Sequence, residues 1–245
     1  NAIGNALHKV GVPLWTPTLP GAFYSPKEVV KPAAKKVVYF PSCINQTMGV
    51  SREKGKKIAP LVDTIITLCN KAGYEVIFPK GMKNLCCGMI WESKGMPDIA
   101  DRKTAELEKA LLEASENGKY PVLCDQSPCL HRMREHIKSM YLYEPAEFIH
   151  DFLAPELEFT PIDEPIAVHV TCSSRRMGLA DKIIALASKC SRNVVVPSEI
   201  GCCGFAGDKG FMMPEMNKYA LRKLRPQIEK AGVKYGYSNS RTCEI

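Results

Sequence analysis

A chain of 245 residues can hold one large domain or two small ones, each with its own core. Its 45% apolar content is that of a globular protein, and no apolar run reaches the roughly 18 residues a membrane span needs. The net charge of +7 comes from basic residues spread along the chain without an aromatic-rich basic stripe, which argues against a nucleic-acid partner. Eleven cysteines are many for an intracellular chain, yet too few and too widely spaced for a disulfide scaffold. The odd number also argues against complete pairing, so the composition favours a reducing compartment and metal-bound thiolates.

Residues 1–35 carry Pro13, Pro17, Pro20, Pro26 and Pro32. Such a stretch reads as a Pro-rich linker or a strap over a neighbour. The sequence opens at Asn1 without a charged-apolar-small cleavage pattern, and it stops two residues after Cys243. Both ends read as cut, as in a fragment of a longer protein.

From Lys36 a repeat sets in. A short apolar run, Val37–Phe40, leads to Cys43, and its counterpart, Ile166–Val170, leads to Cys172. Helix-period stretches follow, with Ile58, Leu61, Val62, Ile65, Ile66 and Cys69 in one and Leu179, Ile183, Leu186, Ala187 and Cys190 in the other. Next come strands at 76–78 and 194–196, closed by Pro79 and Pro197, and loops that carry Cys86-Cys87-Gly88 and Cys202-Cys203-Gly204. A second helix is expected at about 100–116. In the second half it is marked by Met216, Ala220, Leu224 and Ile228 every four positions. Third strands near 120–123 and 233–237 lead to Cys129 and Cys243. Residues 141–165 form the joint, with a helix around 146–153 followed by Pro155, Pro161 and Pro165.

Repeated strand–helix–strand–helix–strand units predict an α/β protein. It would have two tandem, pseudo-twofold-related domains, each a small parallel sheet flanked by helices. The expected boundaries are 36–150 for the first domain, 151–165 for the linker and 166–245 for the second domain.

In each half every cysteine of the repeat follows a strand end, where open α/β sheets build their sites. The sets are Cys43, Cys86, Cys87, Cys129 and Cys172, Cys202, Cys203, Cys243. The spans from pair to last cysteine nearly match, 43 positions from Cys86 to Cys129 and 41 from Cys202 to Cys243. A vicinal disulfide is strained, whereas neighbouring thiolates suit a multi-iron cluster in which each iron takes a soft ligand. Zinc on four thiolates and plain buried cysteines are the competing readings. Cys69 and Cys190 read as core residues on apolar helix faces. Cys124 reads either as a fifth ligand of the first site or as a strand-end core residue, since Ser238 stands in its place in the second half. Gly88 and Gly204 are expected to take positive φ or to let the backbone pass close to a cluster. His131, His169, Arg175, Arg176 and Lys209 read as structural or solvated. Gly207-Asp-Lys-Gly210 lacks the spacing of a phosphate loop.

The cysteine pattern resembles the cysteine-rich CCG domain. That domain occurs twice in the cysteine-rich subunit of heterodisulfide reductases and in the iron–sulfur subunits of glycolate and lactate oxidation systems. The strings Cys124-Asp-Gln-Ser-Pro-Cys129, Val168-His-Val-Thr-Cys172-Ser, Gly201–Phe211 and Ser240-Arg-Thr-Cys-Glu-Ile245 are similar to the C-terminal part of the FAD-linked, iron–sulfur D-lactate dehydrogenases. The resemblance covers about 36–245. It implies the electron-transfer end of a D-2-hydroxy-acid dehydrogenase, an oxidoreductase. One 4Fe-4S cluster would sit in each half on the eight repeat cysteines, and such clusters are lost readily in air. FAD would belong to an upstream domain only, and the segment itself would carry no catalytic residue.

The implied partners are upstream flavin and ferredoxin-like domains or subunits and a quinone or cytochrome acceptor. The implied location is the cytoplasm or the inner face of the membrane. In the heterodisulfide branch the last cysteine belongs to a CxxC. Here Gln126 and Ser240 stand three positions before Cys129 and Cys243. That departure weighs against the alternative of a heterodisulfide-like thiol redox subunit. A zinc-stabilised, non-enzymatic docking scaffold is the other alternative.

Overall fold

The computed structural model describes residues 6–13, 29–50, 59–205, 207 and 209–244. Most of the expected strap, residues 1–5 and 14–28, and Ile58 lie outside the described residues. The end of the strap lies against the first half: Asn70 on the following helix donates to Val29 O at 2.9 Å and accepts from Lys31 N at 3.1 Å.

The first half opens with β1 (Lys35–Phe40), a one-turn helix α1 (Cys43–Thr47) and α2 (Leu61–Lys71). Then come β2 (Tyr74–Ile77), a 3-10 turn at Met82–Asn84, α3 (Met89–Ser93) and α4 (Pro97–Ala114). The half closes with β3 (Val122–Cys124), α5 (Ser127–His136), β4 (Leu142–Tyr143) and α6 (Pro145–Phe148). A π-helical turn over Ile149–Leu153 extends α6. All four strands are parallel, in the order β2-β1-β3-β4.

Alternation along β1 sends its side chains to two cores. Val38 and Phe40 join Leu107 and Leu111 of α4 and Leu130 and Met133 of α5. Val37 and Tyr39 join Val62, Ile65, Ile66 and Cys69 of α2 and Phe148 of α6. The sheet is thus covered on both faces, which is why β1 is apolar at successive positions.

The second half contains β5 (Ile166–His169), α7 (Cys172–Arg176), α8 (Ala180–Cys190) and β6 (Val194–Val195). It ends with α9 (Lys209–Met212), α10 (Pro214–Ala220), α11 (Leu224–Lys230), β7 (Tyr235–Ser238) and α12 (Arg241–Glu244). The order β6-β5-β7, again parallel, repeats β2-β1-β3. Its core is smaller: Ile166, Val168 and Val170 pack on Leu179 and Ile183.

Four features differ from the sequence reading. The segment 142–143 adds a fourth strand to the first sheet, paired with β3 through Val122–Leu142 and Leu123–Tyr143. Leu153, inside the expected linker, is buried in the first-half core. The helix expected through 216–228 is two helices. Pro226 explains the break, because in a continuous helix its ring would clash with the Arg222 carbonyl and leave it without a partner. Starting α11 at Leu224 puts Pro226 in a first turn, where the backbone N–H has no intrahelical role. Cys190 is exposed at the end of α8, whereas Cys69 is fully buried as expected. Among the described residues no helix is long and apolar enough to cross a membrane.

Candidate functional site

Each half presents its repeat cysteines on the loops and first helical turns beyond the carboxyl ends of its strands. The upstream cysteines open one-turn helices. Ser42 Oγ accepts from Asn45 N at 3.4 Å ahead of Cys43, and Thr171 Oγ1 accepts from Ser174 N at 3.3 Å ahead of Cys172. A hydroxyl N-cap therefore starts the same turn in both halves. Cys43 and Cys172 are both exposed there. The downstream cysteines also lie in first turns, Cys129 in α5 and Cys243 in α12. Free backbone N–H groups at these turns favour negative sulfur.

The Cys-Cys-Gly loops match in detail. Gly88 has φ +88° and Gly204 φ +76°, and each N–H donates to the first sulfur of its pair, Cys86 Sγ or Cys202 Sγ, at 3.4 Å. The carbonyl of the second cysteine is held from a helix in both halves. Thr104 Oγ1 donates to Cys87 O at 2.9 Å, and Asn217 Nδ2 donates to Cys203 O at 2.9 Å. The first half adds Arg132, whose Nε donates to Cys87 O at 3.2 Å. Arg132 is 1% exposed and pairs with Glu92 and Asp101 at 2.6 Å each. Burial opposes its charge, but the two carboxylates hold its pKa above the ordinary value.

All described cysteines are free thiols. In the first half Cys43, Cys86, Cys87 and Cys129 lie close enough for each to feel a neighbouring thiol. The neighbouring Cys87, then burial, pushes Cys86 up, and the neighbouring Cys129 pushes Cys87 up. The neighbouring Cys87 works to lower Cys129, yet burial and the Cys124 charge leave it raised.

In the second half Cys203 Sγ and Cys243 Sγ are 3.5 Å apart. Their closeness lowers the pKa of Cys203 and raises that of Cys243. Ionising a whole set requires a compensating cation, because adjacent like charges oppose one another.

Among the described residues no three His, Cys, Asp or Glu side chains close on a single-ion hole. A polynuclear cluster has a different requirement, since each thiolate takes its own iron. All-sulfur donor sets with N–H donors on the sulfurs fit that group.

The remaining expectations divide. Cys124 is fully buried at the end of β3, in one apolar cluster with Cys87 and Cys129. Burial, then the Asp125 charge, pushes its thiol well up. His131 pairs with Glu135, and Arg175 donates to Ile200 O. Burial, then Arg175, lowers the pKa of His169. Sequence reasoning missed Thr104, Arg132 and Asn217 as anchors of the cysteine loops. It also missed Asp125, which is buried and accepts from Tyr39 Oη at 2.6 Å and Ser42 N at 2.8 Å. Arg132 had a signal, a charge on the same helical face as Cys129 and Met133.

Two parallel α/β units, each with a cysteine pair, an upstream cysteine and a downstream cysteine on its strand-end loops, define a duplicated cysteine-loop protein. The chain matches the cysteine-rich domain, CCG, over residues 37–134 and 166–245, and it belongs to that family. It is also similar to Lactate utilization protein A 1 of Bacillus mycoides (strain KBAB4). The two are 25% identical over 218 residues, covering 80% of this chain and 82% of the relative.

Proposed function

We propose that this chain is an iron–sulfur electron carrier of a lactate-oxidising system. One cluster would be held by Cys43, Cys86, Cys87 and Cys129, the other by Cys172, Cys202, Cys203 and Cys243. The observation that carries the reading is the duplicated loop: in both halves a positive-φ glycine donates its N–H to the first sulfur of a cysteine pair at 3.4 Å. Hydrogen bonds to sulfur, burial and local charge are the levers by which a protein sets a cluster's potential. The name of the Bacillus mycoides relative supplies the link to lactate.

A bound cluster would supply one-electron storage, which a hydroxy-acid oxidation needs once a flavin has accepted the electron pair. The chain's own residues would provide the soft ligands, pin the cysteine carbonyls through Thr104, Arg132 and Asn217, and screen Cys87, Cys129 and Cys203 from water. FAD belongs in this proposal to an upstream flavin domain or subunit, ferredoxin-like clusters to a second, and the electrons leave to a quinone or cytochrome. The finer assignment is to a D-lactate dehydrogenase, at the cytoplasmic side of the membrane.

The test is anaerobic reconstitution followed by iron and acid-labile sulfide analysis, with about eight of each expected for two four-iron clusters. Stoichiometric zinc without iron would overturn the reading in favour of a zinc-stabilised scaffold. Reduction of the loaded chain by D-lactate only when a flavoprotein partner is added would establish its place in the electron path.

A further inference from the structure

Cys243 stands in α12, a helix of one turn. A single turn cannot hold itself, since nucleation costs more than one or two hydrogen bonds return. Its geometry must come from outside, and the first half supplies it. The Gln126 side chain reaches across to the turn just before Cys243: Nε2 donates to Ser240 Oγ at 3.0 Å and to Thr242 Oγ1 at 3.4 Å, and Oε1 accepts from Arg241 N at 3.0 Å. Gln126 is 4% exposed and Ser240 3%, so these bonds replace no easy contact with water. Gln126 is itself fixed as the N-cap residue of α5, its carbonyl accepting from Leu130 N at 2.9 Å. It makes no side-chain cap to its own helix.

We propose that Gln126 is a positioning residue for the second thiol site: its side chain holds the turn that sets where Cys243 stands against Cys203. The inference does not depend on which metal the thiols take. If the cluster reading holds, it adds that loading of the second site depends on a residue of the first half.

The test uses the full chain, reduced and metal-free, with N-ethylmaleimide as probe and mass spectrometry to read each cysteine separately. The isosteric variant Gln126→Met keeps the volume and removes the three bonds. Cys243 and Cys203 should then be alkylated faster by on the order of tenfold, while Cys43, Cys86 and Cys172 keep their rates. Ser240→Ala removes one bond from the other side and should give a smaller rise confined to the same two sulfurs. Unchanged rates at Cys243 in both variants, or an equal rise at all five thiols, would overturn the proposal. Iron per chain after anaerobic reconstitution should fall by about half in Gln126→Met. Failure of iron to bind to either protein would count against the cluster reading alone, and the alkylation pattern would still decide this one.

Discussion

Gln126 Nε2 lies 3.0 Å from Ser240 Oγ, and each residue stands three positions before the last cysteine of its half. Positions related by the internal repeat touch each other only beside the axis relating the two halves. The strand-end turns of the two sheets therefore meet, and the seam between them is polar and buried. Ser127 Oγ lies 2.9 Å from Thr171 Oγ1 and 2.8 Å from Ser173 Oγ in the same seam. In the branch that carries CxxC, these two positions hold thiols. Here they are spent on joining the halves, which weighs against thiol redox chemistry at those positions.

Gly88 admits no side chain. A Cβ there would stand 2.5 Å from Ala100 O and 2.8 Å from both Arg132 Nε and Thr104 Oγ1, at φ +88°. Gly88→Ala combines left-handed backbone strain with a clash against helix backbone, and should cost about 3 kcal/mol. At Gly204 the tightest neighbour is Ala220 Cβ at 3.0 Å, so Gly204→Ala should cost nearer the strain alone, about 1–2 kcal/mol. Urea unfolding of the two variants ranks them, and equal losses would refute the close packing of the first loop.

Arg132→Met should destabilise the first half by about 2 kcal/mol, less than a usual broken buried ion pair. The reason is that Glu92 and Asp101 are themselves 46% and 62% exposed and can return to water. What remains is the lost bond to Cys87 O, where Thr104 still donates. Chemical unfolding measures the loss. A cost above about 4 kcal/mol would mean the carboxylates stay desolvated.

Much of this was legible in the sequence, and the misses have physical causes. Val37–Phe40 and Ile166–Val168 are apolar at successive positions because parallel strands are covered, so their strands were plain. Positive φ was one of two expectations for Gly88 and Gly204, and both glycines adopt it. Leu142-Tyr143 is too short to show periodicity, and only its pairing with β3 makes it a strand. The break in the 216–228 helix was written in Pro226, but the four-residue spacing of apolar side chains outweighed it. Cys190 continued the apolar face of α8 on paper. The second-half core is too small to reach the end of that helix. Cross-half contacts such as Gln126–Ser240 leave no trace in local pattern at all.

Two cysteines outside the repeat should behave oppositely to each other. Cys69 is 0% exposed, and burial pushes its thiol up to about 12. Cys69→Ala should cost roughly 1 kcal/mol through the cavity it leaves and should not change iron content. It should resist alkylation until the chain unfolds. Cys190 is exposed, so it should be alkylated in the native state, and Cys190→Ser should be neutral within about 0.5 kcal/mol. Loss of iron on changing Cys69 would remove it from the core assignment.

Glu144 gives the molecule a pH dependence with a definite sign. It is 1% exposed, and burial raises its carboxyl to about 7. Oε2 accepts from Ala146 N at 2.7 Å and Glu147 N at 3.3 Å, and Oε1 accepts from Asn239 Nδ2 at 3.2 Å across the seam. Those bonds favour the charge but do not overcome its desolvation, and the nearby Glu147 adds repulsion even though it pairs with Arg134 and Lys182. In the unfolded chain a Glu ionises near pH 4.3, so between about 4.3 and 7 the folded chain keeps a proton that the unfolded chain has lost. Stability contributed by this group is therefore full below that window and falls as pH rises through it, by on the order of 3 kcal/mol in total. Glu144→Gln retains an oxygen for Ala146 N and Glu147 N. Its amide nitrogen takes the place of Oε1, so the Asn239 amide must turn over to present Oδ1, which is buried without a partner. That variant should have lost this part of the pH dependence, so that urea midpoints at pH 5 and pH 8 differ less than in the parent chain. If parent and variant show the same change between the two pH values, Glu144 is charged throughout and the burial argument fails.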